Sequence, residues 1–149
     1  YLAIVKGRWP LRTKTVRKPL FRYLTPDGER RVRVQQEGQS AISRITGRQH
    51  FDLPGLGVFS LVEVAIETGR THQIRVHLAD AGFPIVGDDK YGDFKLNKDL
   101  QKAGFARMFL HAWRLKIRHP IDGQELLLEA PRPAEFDNLV RMGLKQDGN

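Results

Sequence analysis

A ten-residue β-prone run, from Val58 to Glu67, constrains the fold of this chain more than any other segment. It is rich in valine, isoleucine and phenylalanine, which are enriched in strands. The preceding Pro54-Gly55-Leu56-Gly57 has the residue types of a tight turn, so the run is expected to form the second arm of a hairpin. Thr68-Gly69-Arg70 then interrupts the pattern, and the strand is expected to end there.

Further strands are predicted from shorter runs of the same kind. One begins the chain at residues 1–5, and Arg31-Val32-Arg33-Val34 alternates as a half-buried strand does. The remaining expectations are strands at residues 41–51, 107–118 and 125–130, a basic loop at residues 7–15, and a turn at Thr25-Pro26-Asp27-Gly28.

Helices are predicted in three places. Ile74, Leu78 and Ala81 recur at the spacing of one helical face, with Thr71 placed to cap the start and Gly82 to end it. Residues 96–103 and 133–144 also have helical patterns. Because strands outnumber helices and many neighbouring strands look antiparallel, the predicted class is α+β, and the length suggests one domain.

The positive charge is concentrated in the first third of the chain. The net charge over 149 residues is +8, and residues 1–50 alone hold 12 Lys and Arg against three Asp and Glu. Such a block favours nucleic acid over an anionic membrane, since it lacks an amphipathic helical pattern. Trp9, Phe21 and Tyr23 lie among these cations and are expected to be available for stacking on bases. A solvated basic face without a partner is the alternative.

Several kinds of site are excluded or disfavoured by residue type. The chain has no cysteine, which excludes disulfides, thiol nucleophiles and cysteine-bound metals and fits a reducing cytoplasm. No apolar run reaches about 18 residues, so no transmembrane helix is predicted. His72 and His77 would lie about 140° apart on a helix and cannot share a metal, so no metal is expected.

The segment from Glu67 to His77 places a dense group of polar side chains at a predicted strand-to-helix junction. Backbone N–H groups at a helix start attract anions such as phosphate. Arg75 lies at the edge of the buried stripe, where a cation is costly unless it meets a carboxylate or a phosphate. Residue chemistry alone leaves two interpretations: an anion-binding site, or an ordinary capped helix with Arg75 in a structural salt bridge.

Ten consecutive residues of this segment, Thr68 to His77, resemble the signature of the RluA family of RNA pseudouridine synthases. The resemblance continues in Gly82-x-Pro84-Ile85, in Gly87-Asp88-x-x-Tyr91-Gly92 and in Phe109-Leu110-His111-Ala112. At the start, Tyr1-x-Ala3-x-Val5-x-Gly7 is similar to the family's strand that carries an active-site tyrosine. The resemblance covers nearly the whole chain, and residues 7–10 and 28–34 are most similar to members acting on large-subunit ribosomal RNA.

The resemblance implies the pseudouridine synthase fold, a mixed and largely antiparallel sheet flanked by helices. It implies isomerisation of specific uridines in 23S ribosomal RNA: the uridine is flipped out, its glycosidic bond breaks, and C5 of the turned base bonds to the ribose, without a cofactor. The family's essential aspartate stands in an Arg-Leu-Asp motif, which this sequence does not contain. Residues 1–149 are accordingly expected to be the C-terminal part of one catalytic domain, inactive alone and with an incomplete sheet. The nucleophile-bearing part and any N-terminal RNA-binding domain would lie outside it.

The resemblance also implies roles for individual residues. Tyr1 matches the tyrosine that packs on the flipped base, Arg75 the arginine that pairs with the catalytic aspartate, and Leu110 an apolar pocket residue. Arg70, His72 and Gln73 are expected to contact the RNA backbone or the pocket. Contacts to phosphate that position the RNA are expected from six cations of the basic block: Lys6, Arg8, Arg12, Lys14, Arg17 and Lys18.

Two other functions stay open at this point. One is a basic module that binds RNA without chemistry, and the other is a ribosome-associated structural protein that uses the same basic face. If the chain alone were active, Asp88, Asp89 or Asp93 would be the next candidate nucleophile. The expected partner is large-subunit ribosomal RNA in the cytoplasm, with the protein a monomer and without membrane or metal.

Overall fold

The computed structural model describes residues 1–147, and the side chains of residues 1–143. The strands within that range are β1 Leu2–Lys6, β2 Thr13–Arg17, β3 Leu20–Leu24, β4 Arg30–Val34, β5 Ile42–Leu53, β6 Gly57–Ile66, β7 Leu110–His111, β8 Arg114–Arg118 and β9 Glu125–Glu129. The helices are α1 Gln73–Asp80, α2 Phe94–Lys102 and α3 Ala134–Asp147.

A five-stranded antiparallel sheet, in the order β2-β5-β6-β1-β7, forms the centre of the fold. The long β5–β6 hairpin confirms the prediction made from the Val58 run, with Phe51 opposite Phe59 and Leu53 opposite Gly57. β1 pairs with β6 on one side and with the short β7 on the other. Two further hairpins, β3–β4 and β8–β9, stand as separate two-stranded sheets.

The sheet is covered on both faces, which explains why β1 is buried on both sides. Leu2 and Ile4 pack with Phe51, Phe59 and the side chains of α3 on one face. On the other face, a second cluster is formed by Ala3, Val5, Ile45, Val62, Ile74 and Leu78. Because alternate residues of a strand point to opposite faces, the continuous apolar run at the start of β1 serves both clusters. The predicted α+β class is confirmed.

Two predicted boundaries were wrong. Residues 7–15 are not all loop, because Thr13 begins β2, which pairs with β5 at the edge of the sheet. The predicted strand at residues 107–118 is two strands: β7 pairs with β1 over only two residues, and β8 pairs with β9. The chain leaves the central sheet between them, where the Trp113 carbonyl accepts a hydrogen bond from the Ala130 N–H.

The start of α1 also differs from the prediction. The residue at the N-cap is His72, not Thr71, with φ 53° and no hydrogen bond from its side chain to the helix. The side chain of Gln73 bridges the preceding turn instead, since its Oε1 accepts from the Arg70 N–H at 3.1 Å and from the Thr68 hydroxyl at 2.8 Å. The predicted end of the helix at Gly82 is confirmed, with φ 91° as a C′ glycine adopts.

Candidate active site

A cavity of about 330 Å³ opens at one end of the central sheet, beside the start of α1. It lies among β1, β6, β7 and α1, so residues far apart in sequence meet there. All six residues predicted from the sequence for catalysis or substrate binding line it: Tyr1, Arg70, His72, Gln73, Arg75 and Leu110. The fold therefore brings the whole predicted set together in one place.

The sheet register explains how Tyr1 and Leu110, which are far apart in the sequence, both reach this cavity. The Tyr1 carbonyl accepts from the Val64 N–H at 2.8 Å, which fixes Tyr1 beside the end of β6. Leu110 pairs with Ala3 on the other side of β1. Tyr1 and Leu110 both pack on the apolar cluster beneath α1, so they give the cavity its apolar wall.

Arg75 is held by a buried carboxylate from the loop after α1. Its Nε donates to Asp88 Oδ2 at 2.9 Å and its Nη2 donates to Asp88 Oδ1 at 2.8 Å. The side chains of Arg75 and Asp88 are 13% and 1% exposed. Burial alone would raise the pKa of Asp88, but the bonds from Arg75 and from two backbone N–H groups outweigh it and lower that pKa. The carboxylate of Asp88, from the same chain, thus compensates the largely buried charge of Arg75.

Tyr91 joins the cavity rim to the β3–β4 hairpin. Its hydroxyl oxygen accepts a hydrogen bond from the Val32 N–H at 2.8 Å and lies 2.8 Å from His72 Nδ1. Burial, and then the nearby charge of Arg75, lower the pKa of His72, which favours the neutral imidazole. Cζ of Arg75 lies 5.2 Å from the centroid of the Tyr91 ring, a cation–π distance.

Gln73 anchors the floor of the cavity to β5. Its Nε2 donates to the Ile42 carbonyl at 2.9 Å and to Ser43 Oγ at 3.0 Å. Ser43 Oγ lies 2.8 Å from Nδ1 of His77, which is fully buried and whose Nε2 lies 2.9 Å from the Lys18 carbonyl. The side-chain amide of Gln73 is therefore hydrogen-bonded within the protein. Arg70, in contrast, is exposed at the mouth of the cavity and donates one hydrogen bond, from Nε to the Ser40 carbonyl.

The six cations predicted to contact phosphate do not form one patch around the cavity. Lys6 pairs with Asp93 and Lys18 with Asp80, at 2.6 and 2.7 Å. Arg8 lies 3.4 Å from His50 Nδ1. The other three are exposed on or beside the edge strand β2 and have no ion-pair partner among the side chains of residues 1–143: Arg12, Lys14 and Arg17.

Position along the strands separates these cations further. Lys6 and Tyr1 lie at opposite ends of β1, about 17 Å apart at the rise of a strand. Arg17 pairs with Ile42, whose carbonyl is bound by Gln73, so Arg17 lies at the cavity end of the sheet. Trp9 is 1% exposed and packs on Phe83, which corrects the expectation that it is available for stacking on bases.

A second basic surface, not singled out from the sequence, lies next to the cavity. The β3–β4 hairpin and Thr71 line a groove of about 340 Å³ that includes Arg22, Tyr23, Arg30 and Arg31. Thr71 precedes His72, so the groove adjoins the cavity. The available signal was the number of arginines in residues 30–34. Their alternation with valine did not indicate the groove, because Arg30 lies on the same face of the strand as Val32 and Arg22 pairs opposite Val32.

Neither a metal cluster nor a membrane-crossing helix is found in the described part of the chain. No group of three or more His, Cys, Asp or Glu side chains is arranged to hold a metal ion among residues 1–143, whose side chains are described. None of the helices within residues 1–147 is both long and apolar enough to cross a membrane.

Comparison with solved structures identifies the class of fold. The human RNA pseudouridylate synthase domain containing 1 matches with a TM-score of 0.70 and 28% identity, over 89% of this chain and 53% of that one. The human domain containing 4 matches with a TM-score of 0.60 and 26% identity, over 95% of this chain and 60% of that one. The chain therefore has the pseudouridine synthase fold, which confirms the expectation from the motif.

Sequence comparison narrows the relationship. Ribosomal large subunit pseudouridine synthase C of Salmonella typhimurium is 44% identical over 147 residues, covering 97% of this chain and 43% of that protein. The proteins of the same name from Pasteurella multocida and Escherichia coli K12 are 38% and 43% identical, covering 94% and 88% of this chain. No family model matches the chain. The chain is thus a relative of these synthases and spans about two fifths of their length.

Proposed function

We propose that this chain is part of an RNA pseudouridine synthase that isomerises specific uridines in 23S, large-subunit ribosomal RNA. One observation carries the proposal: the six residues assigned by motif from separate segments of the chain all line one cavity. A chance resemblance in sequence would not bring Tyr1 and Leu110 to the same wall as Arg75. The sequence relationship to ribosomal large subunit pseudouridine synthase C supports the same substrate.

In this proposal each side of the cavity acts on a different part of the flipped uridine. Tyr1 offers a ring face for the base and a hydroxyl for proton transfer, and Leu110 packs against the base edge. Arg75 supplies a fixed positive charge to the aspartate that attacks or deprotonates. The reaction breaks the bond from C1′ to N1 and forms a bond from C1′ to C5, while C5 loses a proton and N1 gains one.

The aspartate itself is proposed to come from outside these 149 residues. No Arg-Leu-Asp sequence occurs in the chain. Asp88, one of the alternatives, is fully buried and accepts from Arg75 and from the Lys90 and Tyr91 N–H groups, so its oxygens have no room to attack a ribose or a base. Asp93 caps α2 and pairs with Lys6. Neither carboxylate is available as a nucleophile. The third alternative, Asp89, is 84% exposed and is not among the residues that line the cavity.

The exposed cations are proposed to hold the RNA around the flipped nucleotide. Arg17 lies at the cavity end of β2, and Arg22 and Arg30 line the groove beside Thr71. Contacts of this kind are made to phosphates and position the RNA without reading its sequence. They would offset the few kcal/mol that base flipping costs. The proposed enzyme acts as a monomer in the cytoplasm, where ribosomal RNA is the substrate.

The test is release of tritium from [5-³H]uridine in large-subunit ribosomal RNA, with this chain and with the product of its complete gene. We expect release only when a segment carrying the Arg-Leu-Asp motif is present. Release by the 149 residues alone would contradict the external aspartate. RNA binding without release by either protein would instead support the non-catalytic binding module.

A further inference from the structure

The loop after α1 is built to present one carboxylate at a fixed place. At Gly87, with φ 84°, an added Cβ would overlap the carbonyl of Arg107, so no side chain fits there. The side chain of Asn97, in α2, makes two hydrogen bonds to the backbone of this loop. Its Oδ1 accepts from the Gly87 N–H at 2.8 Å, and its Nδ2 donates to the Asp88 carbonyl at 2.9 Å. The position of Asp88 is therefore set by a separate helix.

The carboxylate of Asp88 is saturated by protein donors. It accepts from Nε and Nη2 of Arg75, from the Lys90 N–H at 2.9 Å and from the Tyr91 N–H at 3.1 Å. Two parallel bonds between a carboxylate and one edge of a guanidinium leave the arginine little freedom to rotate. A single bond, or a lysine in the same place, would not impose this orientation.

The part of the Arg75 guanidinium that Asp88 does not bind, Nη1, is the part that can donate to a reacting group. Among the described side chains, those of residues 1–143, Nη1 has no hydrogen-bond acceptor, while Nη2 also lies 3.4 Å from Oδ1 of the exposed Asp89. Cζ of Arg75 lies 5.2 Å from the centroid of the Tyr91 ring. One edge of the guanidinium is thus bound by Asp88, and Nη1 is left for a group in the cavity that Arg75 lines.

We infer that Asp88 is a positioning residue, which holds Arg75 so that Nη1 is presented to the reacting aspartate or to the substrate. This inference rests on the proposed function and adds a residue to it. Asp88 acts through Arg75 and does not touch the uridine. A purely structural ion pair would affect the stability of the fold and leave turnover per folded molecule unchanged, so the two roles are separable by experiment.

The decisive variant is Asp88→Asn in the product of the complete gene, assayed by tritium release from ribosomal RNA. The amide keeps the shape of the side chain but loses the charge and one of the two acceptor oxygens that orient Arg75. We expect kcat to fall at least tenfold and KM to change less than threefold. Asp89→Asn is the matched control. It removes a negative charge beside Arg75 but leaves both hydrogen bonds from Arg75 to Asp88 in place, so its kcat should stay within threefold of the wild type.

The outcomes separate the inference from the proposed function. Wild-type protein that releases no tritium overturns both. Active wild type, together with folded Asp88→Asn that keeps kcat within threefold, overturns the positioning role alone. If Asp88→Asn does not fold, Asn97→Ala decides, because it loosens the loop and leaves both charges in place. A three- to tenfold lower kcat with unchanged KM supports the inference, and an unchanged kcat overturns it.

Discussion

The region around α1 and the basic first third of the chain use arginine in opposite ways. Arg75 is almost buried, is bound along one edge by Asp88 and lies at a cation–π distance from Tyr91. Arg12 and Arg17, beside and on β2, are exposed and have no ion-pair partner among the described side chains of residues 1–143. The first arrangement fixes a charge in space, and the second leaves charges on long flexible stems.

This difference matches two different tasks. A charge that orients a reacting group must be held within a fraction of an ångström, which requires buried partners. A charge that attracts a polyanion acts over about 8–10 Å at physiological ionic strength and needs no fixed geometry. Substitutions should therefore affect stability and turnover in the α1 region, and RNA affinity in the basic region.

Arg75→Ala should produce the largest effect on stability. It leaves the Asp88 carboxylate buried without its cation, and breaking a buried pair in this way costs about 3–5 kcal/mol. Urea unfolding should show this loss, whereas exposed Arg12→Ala should change the free energy of unfolding by less than about 0.5 kcal/mol. The double variant Arg75→Ala/Asp88→Asn removes the unpaired charge but keeps an oxygen for the Lys90 and Tyr91 N–H groups, so it should recover part of the loss. Equal instability of single and double variants would contradict the role of the unpaired carboxylate.

Removal of the unpaired cations should mainly change RNA binding. The variant Arg12→Ala/Lys14→Ala/Arg17→Ala should reduce the slope of log Kd against log salt by about 0.7–0.9 for each phosphate that the variant no longer neutralises. Lys6→Ala/Lys18→Ala should change the slope less, because Asp93 and Asp80 already neutralise these two lysines. Filter binding of a ribosomal RNA fragment at several salt concentrations measures both, with unchanged thermal unfolding as the control. Equal slopes for the wild type and both variants would contradict binding of phosphate by these cations.

The same contrast explains what the sequence could predict. Residues 68–77 carry a dense motif whose polar groups mainly have partners within the fold, and four of the six site residues come from it. Tyr1 and Leu110 were assigned from separate segments that also resemble the family. The exposed cations have no such partners, and composition gave their number without their position: Lys6 and Arg8 lie at the far end of β1 from Tyr1. The groove of Arg22 and Arg30 was missed because both arginines lie on the same face of the hairpin as the buried Val32, and only the fold shows which part of that face stays uncovered.

Local conformation was also beyond the sequence pattern. Thr71 has the chemistry of an N-cap, yet the cap is His72 in the left-handed region, because Gln73 binds the preceding turn and Tyr91 binds the imidazole. Tyr91 is nineteen residues further along the chain than His72, and only the fold brings the two side chains together.

The strain at His72 gives a smaller and separate prediction. His72→Gly and His72→Ala both lose the bond to Tyr91, so their difference reports the backbone alone. Because an L-residue in the left-handed region costs about 1 kcal/mol relative to glycine, His72→Gly should be the more stable of the two by about that amount. Denaturant unfolding of the matched pair measures it. Equal stability would mean that the turn relaxes and that the α1 region is less rigid than Arg75 requires.

The smallest expected effect is a dependence of stability on pH that comes from His77. Burial is the main cause of the lowered pKa of His77, and it outweighs the opposing hydrogen bond to the Lys18 carbonyl. Below the ordinary histidine pKa of about 6.5, the unfolded chain therefore binds a proton that the folded chain does not, and the free energy of unfolding falls as the pH falls.

His77→Gln removes this titration, so its urea midpoint should drop less between pH 7.5 and 5.5 than that of the wild type. His72 titrates in the same direction in both proteins and cancels in the difference. If the urea midpoints of the wild type and His77→Gln fall equally with pH, the network of Gln73, Ser43 and His77 accommodates a proton in the folded state. The buried groups around α1 would then be less tightly fixed than Arg75.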